Sequence, residues 1–310
     1  MYGLKVDEGL VGFYAINKKG VIMSEDREIF VISDLHMGDG GPRDNFAVGD
    51  KEKELNLFLD FVEKENGELV IIGDLFEFWQ ISLGRVLIKR LELINRLAQM
   101  QAIYVVGNHD VDLESLISTD MLANQFFKKM SQRFVKKIGD KKFMFMHGHE
   151  VDPYNKGDSP GWGRILTIFA GIFEDKNQSP FLPTGDAVEE VLNQFGETML
   201  ILWNHLTNKL KKKVSGGDSP NPESELTPAQ NPKLAKKMLH RYKEDKIKEG
   251  YDIGIVGHTH KVGRLEDWYF NSGCWAEATN SFLRISDDGN VEVFDWENGK
   301  AIPNGTVLSV

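Results

Sequence analysis

Five times in this chain a compact apolar run stops at a polar motif, and that recurrence constrains the fold more than any other feature. Residues 29–32 lead to Asp34-Leu35-His36, 69–72 to Gly73-Asp74-Leu75-Phe76-Glu77, and 103–106 to Gly107-Asn108-His109-Asp110. Residues 143–146 lead to His147-Gly148-His149, and 253–256 to Gly257-His258-Thr259-His260. Runs this short, with glycine at their ends, predict buried strands rather than helices. Helix-period segments separate the first three. One is marked by Leu55, Phe58, Leu59 and Val62, the next by Val86, Leu87, Leu91, Ile94 and Leu97. Strand and helix in alternation predict an α/β fold. Ligands of such sheets bind beyond the carboxyl ends of the strands. All five motifs fall at that end, so the pattern predicts one site.

The motifs also concentrate chemistry, since six of the eight histidines lie in them. A hydrolase acting on phosphate esters must neutralise a charged group and make a nucleophile at neutral pH. Two divalent metals ~3.5–4 Å apart do both, by clamping phosphate oxygens and lowering the pKa of a bridging water. Such a pair needs a carboxylate between the ions, with neutral imidazoles and an amide oxygen around it. Asp34, His36, Asp74, Asn108, His147, His258 and His260 meet that description.

Composition narrows the partners. The formal charge of −10 argues against a general nucleic-acid binder. Residues 205–248 nevertheless hold eleven Lys or Arg against five Asp or Glu, which leaves the rest near −16. The single cysteine, Cys274, excludes an internal disulfide and reads as a packed residue. The first residues lack a basic, then apolar, secretory pattern, and no apolar run approaches the ~20 residues of a membrane span. A soluble cytoplasmic protein is expected.

Residues 152–250 break the alternation. They open on a Gly-, Pro- and Asp-rich loop and an apolar segment at 162–173. A long amphipathic helix is predicted over 186–213, a mobile loop over 215–232 and a basic helix over 233–248. The expected organisation is a core formed by 1–151 and 251–310, with 152–250 as a helical cap beside the site. Hairpins are predicted at 13–23 and 281–296, the second turning at Asp287-Asp288-Gly289-Asn290.

In order and content, these motifs resemble the calcineurin-like metallophosphoesterase superfamily, whose pattern is D-x-H, G-D, G-N-H, H and G-H-x-H. The resemblance covers residues 34 to 260. It implies a β-sandwich flanked by helices (αββα) and a binuclear metal centre. By the same resemblance, Asp34, His36 and His260 hold one metal, and Asn108, His147 and His258 hold the other, with Asp74 between them. His109 is implied as the general acid that protonates the leaving oxygen, or as a stabiliser of phosphoryl charge. Glu77 either orients His109 or opens the following helix. His149 competes with His147 for one ligand place, and the pattern favours His147. Asp110 reads as a turn or supporting residue. Arg43 is a candidate contact for substrate phosphate, or a solvent-exposed loop arginine.

A narrower likeness lies in Gly73-Asp74-Leu75-Phe76-Glu77 with Trp79, in Met146-His147-Gly148, in Gly257-His258-Thr259-His260 and in Gly273-Cys274-Trp275 before a closing strand. These segments are similar to the UDP-2,3-diacylglucosamine pyrophosphatases of lipid A synthesis, manganese enzymes with a helical lid. Those enzymes commonly carry arginine where His109 stands. The implied cofactors are two divalent ions, Mn2+ before Fe or Zn. A lipid-linked or nucleotide substrate is implied, with peripheral contact at the inner membrane face through the insertion. The competing expectation is a nuclease of the same superfamily that holds a strand on the basic insertion.

Overall fold

The computed structural model describes residues 27–41, 44–47, 49–113, 125–152, 232–277 and 279–308. The expected hairpin at 13–23, the segments at 162–173 and 186–213, and Arg43 lie outside them.

Two sheets face each other. The first has seven strands in the order β12-β11-β10-β1-β2-β3-β4. Its centre is β1 (Ile29–Ile32), β2 (Glu68–Ile72) and β3 (Ile103–Val105), parallel to one another. Strand β4 (Met130–Ser131) continues the parallel run. The antiparallel strands β10 (Asn280–Ile285), β11 (Val291–Glu297) and β12 (Lys300–Pro303) extend the other edge. The second sheet runs β5-β6-β7-β9-β8. It comprises β5 (Arg133–Ile138), β6 (Lys141–Met146), β7 (Ile253–Val256), β8 (Gly263–Leu265) and β9 (Tyr269–Asn271).

The two-residue period of a strand splits each apolar run between two faces. Ile29, Val31, Val70, Ile72, Leu283 and Ile285 meet Phe143, Phe145, Ile253, Ile255 and Phe270 in the core between the sheets. Phe30, Ile32, Leu69, Ile71, Phe282 and Trp296 point the other way. They are covered by Leu55, Phe58, Leu59 and Val62 of α1 (Lys51–Lys64) and by Val86, Ile94 and Leu97. On the outer face of the second sheet, Met144, Met146, Val256 and Tyr269 are covered by Met238 and Tyr242 of α4 (Pro232–Glu249). The result is the expected αββα order. The described end of the 152–250 stretch is thus a layer of the sandwich itself.

The apolar period over 86–97 predicts one helix, and the structure shows two: α2 (Leu83–Lys89) and α3 (Leu91–Gln99). The break falls at Arg90, which is buried. Its guanidinium donates to the carbonyl of Gly38 (2.8 Å) and to Asp44 Oδ2 (2.5 Å). Asp44 in turn accepts the N–H groups of Gly40 and Phe46. A buried ion pair thereby anchors the loop that follows the first motif.

Candidate metal centre

The loops after β1 and β2 remain bonded to each other past the ends of their strands. Asp34 N–H donates to Gly73 O, Leu35 and His36 N–H to Asp74 O, and Met37 N–H to Leu75 O. The second sheet joins the same place, because His258 N–H donates to Asp34 Oδ2 at 3.1 Å and Trp275 N–H to Asp34 O. Such crowding leaves little room. A Cβ on Gly107 would overlap the Asp74 carboxylate, and one on Gly73 would overlap the His147 ring. Asp34, His36, Asp74, His258 and His260 all take positive φ, between 49° and 66°. Left-handed backbone costs roughly 1–2 kcal/mol at a non-glycine residue. Its concentration on these residues marks a place where the fold holds side-chain direction against local preference.

Among the described residues, ligand-type atoms cluster in four groups: His36 with Glu77 and His109, and His260 with Cys274 and Glu277, border two main ones. Asp34, His36 and His260 form one, and Asp74, His147 and His258 the other, each with its ligand atoms within 4.8 Å of one another. In the first, His260 Nε2 is 3.3 Å from both Asp34 Oδ1 and His36 Nε2. In the second, His147 Nε2 is 3.1 Å from Asp74 Oδ2 and 3.1 Å from Asn108 Oδ1. Asp74 Oδ2 also lies 3.7 Å from His36 Nε2, so one carboxylate reaches both groups. His149 is buried beside His147, ring centroids 5.5 Å apart, and belongs to neither group.

Second partners fix which atom of each residue faces inward. An imidazole that donates one N–H to an oxygen on its outer side turns the other nitrogen inward, where it ligates a metal once deprotonated. His147 donates from Nδ1 to Ile72 O at 2.9 Å, His260 from Nδ1 to Glu277 Oε1 at 2.9 Å, and His258 from Nε2 to Asp152 Oδ2 at 2.9 Å. The inward atoms are therefore His147 Nε2, His260 Nε2 and His258 Nδ1. Asp34 is sorted the same way. Its Oδ2 accepts from Ser33 Oγ and His258 N–H, while its buried Oδ1 accepts no hydrogen bond.

The orphaned Asp34 oxygen, and the inward His147 nitrogen set against the oxygens of Asp74 and Asn108, call for a proton or a metal cation among them. The charges agree. Burial alone would raise the Asp34 and Asp74 carboxyls, yet His260 and His147 hold Asp34 below its ordinary range, and His147 and His109 hold Asp74 well below. Burial works against protonation of His147 and His260, but the Asp74 and Asp34 carboxylates push His147 up to about 10, and Asp34 pushes His260 up to about 12. These sites draw a positive charge to the inward nitrogens, and a divalent metal fits the same donor set.

Beside the groups stand Glu77 and His109. Glu77 does not open a helix, because α2 begins at Leu83. Its Oε2 is 2.7 Å from His109 Nδ1 and 3.4 Å from His36 Nδ1. Burial opposes ionisation of both partners. Even so, His109 holds Glu77 down to about 2, and Glu77 raises His109 above the ordinary imidazole value. Asp110 serves the frame: fully buried, it accepts from Leu75, Phe76 and Gly107 N–H and from the Tyr104 hydroxyl. Burial, with Asp74 nearby, raises it to about 6. Cys274 is buried.

Sequence reasoning missed the supporting partners Asp152 and Glu277 and gave Trp79 no role. Asp152 lies 106 residues from His258, and no local spacing joins them.

The calcineurin-like phosphoesterase family matches the chain over residues 28–262. No curated protein gives a sequence match. A solved structure of vacuolar protein sorting 29 from Cryptosporidium parvum is similar at 14% identity, covering 89% of this chain and 94% of that one, with a TM-score of 0.40.

Proposed function

Because this chain belongs to the calcineurin-like phosphoesterase family, we propose that it hydrolyses phosphoester or pyrophosphate bonds with two divalent metal ions. The observation that carries this reading is the position of Asp74 Oδ2, 3.1 Å from His147 Nε2 and 3.7 Å from His36 Nε2. Asp34, His36 and His260 would hold one ion; Asn108, His147 and His258 the other; Asp74 would serve both. Bound there, the ions supply Lewis acidity that activates water and offsets phosphate charge. The mixed carboxylate, amide and imidazole set suits manganese, iron or zinc, with manganese as the working choice.

The chain's own groups do the rest. Glu77 keeps a proton on His109, whose imidazolium is available to protonate the departing oxygen. Glu277 and Asp152 keep His260 and His258 from turning. Hydrolysis of bis-p-nitrophenyl phosphate with manganese tests the proposal. Turnover well above that of an Asp74→Ala variant is expected, and no turnover above that control would sink it.

The finer proposal is a lipid-linked or nucleotide pyrophosphate of the UDP-diacylglucosamine kind, supported by the likeness around residues 73–79 and 273–275. Release of UMP from that substrate tests it. Turnover of the nitrophenyl ester without UMP release would keep the hydrolase and remove the lipid. The nuclease reading draws no support from the described part of α4. There Lys243 pairs with Glu266 at 2.6 Å, and Arg241 donates to Val151 O at 2.8 Å.

A further inference from the structure

The ring of His109 has three close neighbours, of which His36 meets it edge-to-face, centroids 4.5 Å apart. Glu77 Oε2 occupies its Nδ1 at 2.7 Å, and the indole of Trp79 lies flat against its face, with centroids 3.7 Å apart and planes 17° from parallel. Trp79 is itself tied to the same two loops. Its backbone N–H donates to Glu77 Oε1 at 2.9 Å, and its Nε1–H donates to the carbonyl of Asn108 at 2.8 Å. The backbone of His109 is fixed as well, by donation to Asp74 Oδ1 at 2.8 Å and by acceptance from Phe78 N–H at 3.2 Å. What remains free to turn is the imidazole, and the indole and the carboxylate remove that freedom together.

We propose that Trp79 is a positioning residue for His109. The indole face sets the plane of the imidazole and Glu77 occupies Nδ1, so that Nε2 is the nitrogen that serves the leaving group. A π-face against an imidazole is also favourable when the ring carries charge. A conformationally free histidine would reach the leaving oxygen in only a fraction of its rotamers, and small misplacements of catalytic groups are costly.

This inference rests on the hydrolase reading above. In that reaction the oxygen of water joins phosphorus, the P–O bond to the leaving group breaks, and the leaving oxygen takes a proton from His109. Water supplies the replacement proton. Need for the acid depends on the leaving group: phenolate requires protonation more than p-nitrophenolate does.

The test compares wild type, Trp79→Leu and Trp79→Phe on bis-p-nitrophenyl phosphate and diphenyl phosphate with manganese. Proton NMR of the His109 ring in the metal-free proteins is recorded beside it. Trp79→Leu is expected to lose about tenfold or more in kcat on diphenyl phosphate and less than about threefold on the nitrophenyl ester, within the ~10²–10⁴-fold span of general acid catalysis. KM should change little, and Trp79→Phe, which retains an aromatic face, should recover most of the loss. The His109 ring protons should be shifted upfield by the indole in wild type, and that shift should vanish in Trp79→Leu. An equal loss on both esters would mean general disruption and would overturn the proposal, as would an unchanged ring shift in Trp79→Leu. A wild type inactive on both esters with the ring shift present would overturn the hydrolase reading and the acid role with it. The stack itself would then stand on the NMR result alone.

Discussion

At the scale of single residues, direction matters more than identity. Each inward nitrogen is chosen by a partner on the other side of its ring, and two of those partners, Asp152 and Glu277, came from outside the five motifs. Losing such a support typically costs about 10–100-fold in metal affinity. Asp152→Asn is therefore expected to weaken manganese binding by that factor in a chelator competition, while the far-UV circular dichroism stays unchanged. Wild-type affinity in the variant would show that His258 needs no support. His149 gives a pH prediction. Burial lowers it to about 4, against the pull of Glu150, from an ordinary 6.5. Between those values the unfolded chain binds the proton and the folded one does not, so acidification favours unfolding there. Stability contributed by the neutral ring is fully present above about pH 6.5 and is lost as pH falls towards 4, at roughly 1.4 kcal/mol per unit. Urea titrations of metal-free wild type and His149→Gln at pH 7 and pH 5 should show a smaller acid loss in the variant. An equal loss in both would place the effect elsewhere.

At the scale of elements, the sequence was most readable where strands are buried on both faces. The runs at 29–32, 69–72 and 253–256 are continuous and apolar because both the helices and the opposite sheet need them. Strand β5 escaped notice because Arg133-Phe134-Val135-Lys136-Lys137-Ile138 is an edge, and lysines there keep other strands from pairing with it. The division of α2 from α3 was equally hidden. It depends on Arg90 meeting Asp44 and Gly38, 46 and 52 residues earlier in the chain. Removing one member of a buried ion pair costs about 3–5 kcal/mol, because the other is left charged and dry. Arg90→Met should lower the urea midpoint by a corresponding amount. A loss below about 1 kcal/mol would show that the pair is not what holds the loop after the first motif.

At the scale of the whole molecule, the two sheets bring together motifs that lie up to 226 residues apart, from Asp34 to His260. The motif series revealed the donor set and its gathering at the strand ends. It could not reveal which atoms face inward, since that depends on Ile72 O across the two sheets and on Glu277 and Asp152 in loops outside the motifs. The same construction couples stability to metal, because ligands bound in the folded state alone stabilise it by mass action. EDTA treatment should lower the melting temperature and added manganese should restore it. A melting temperature indifferent to both would mean that the site binds no metal. The most direct measurement is anomalous diffraction at the manganese edge from crystals grown with that ion. Two peaks flanking the Asp74 carboxylate, ~3.5–4 Å apart, one beside Asp34, His36 and His260 and one beside Asn108, His147 and His258, are expected. A single peak, or none, would contradict a binuclear centre.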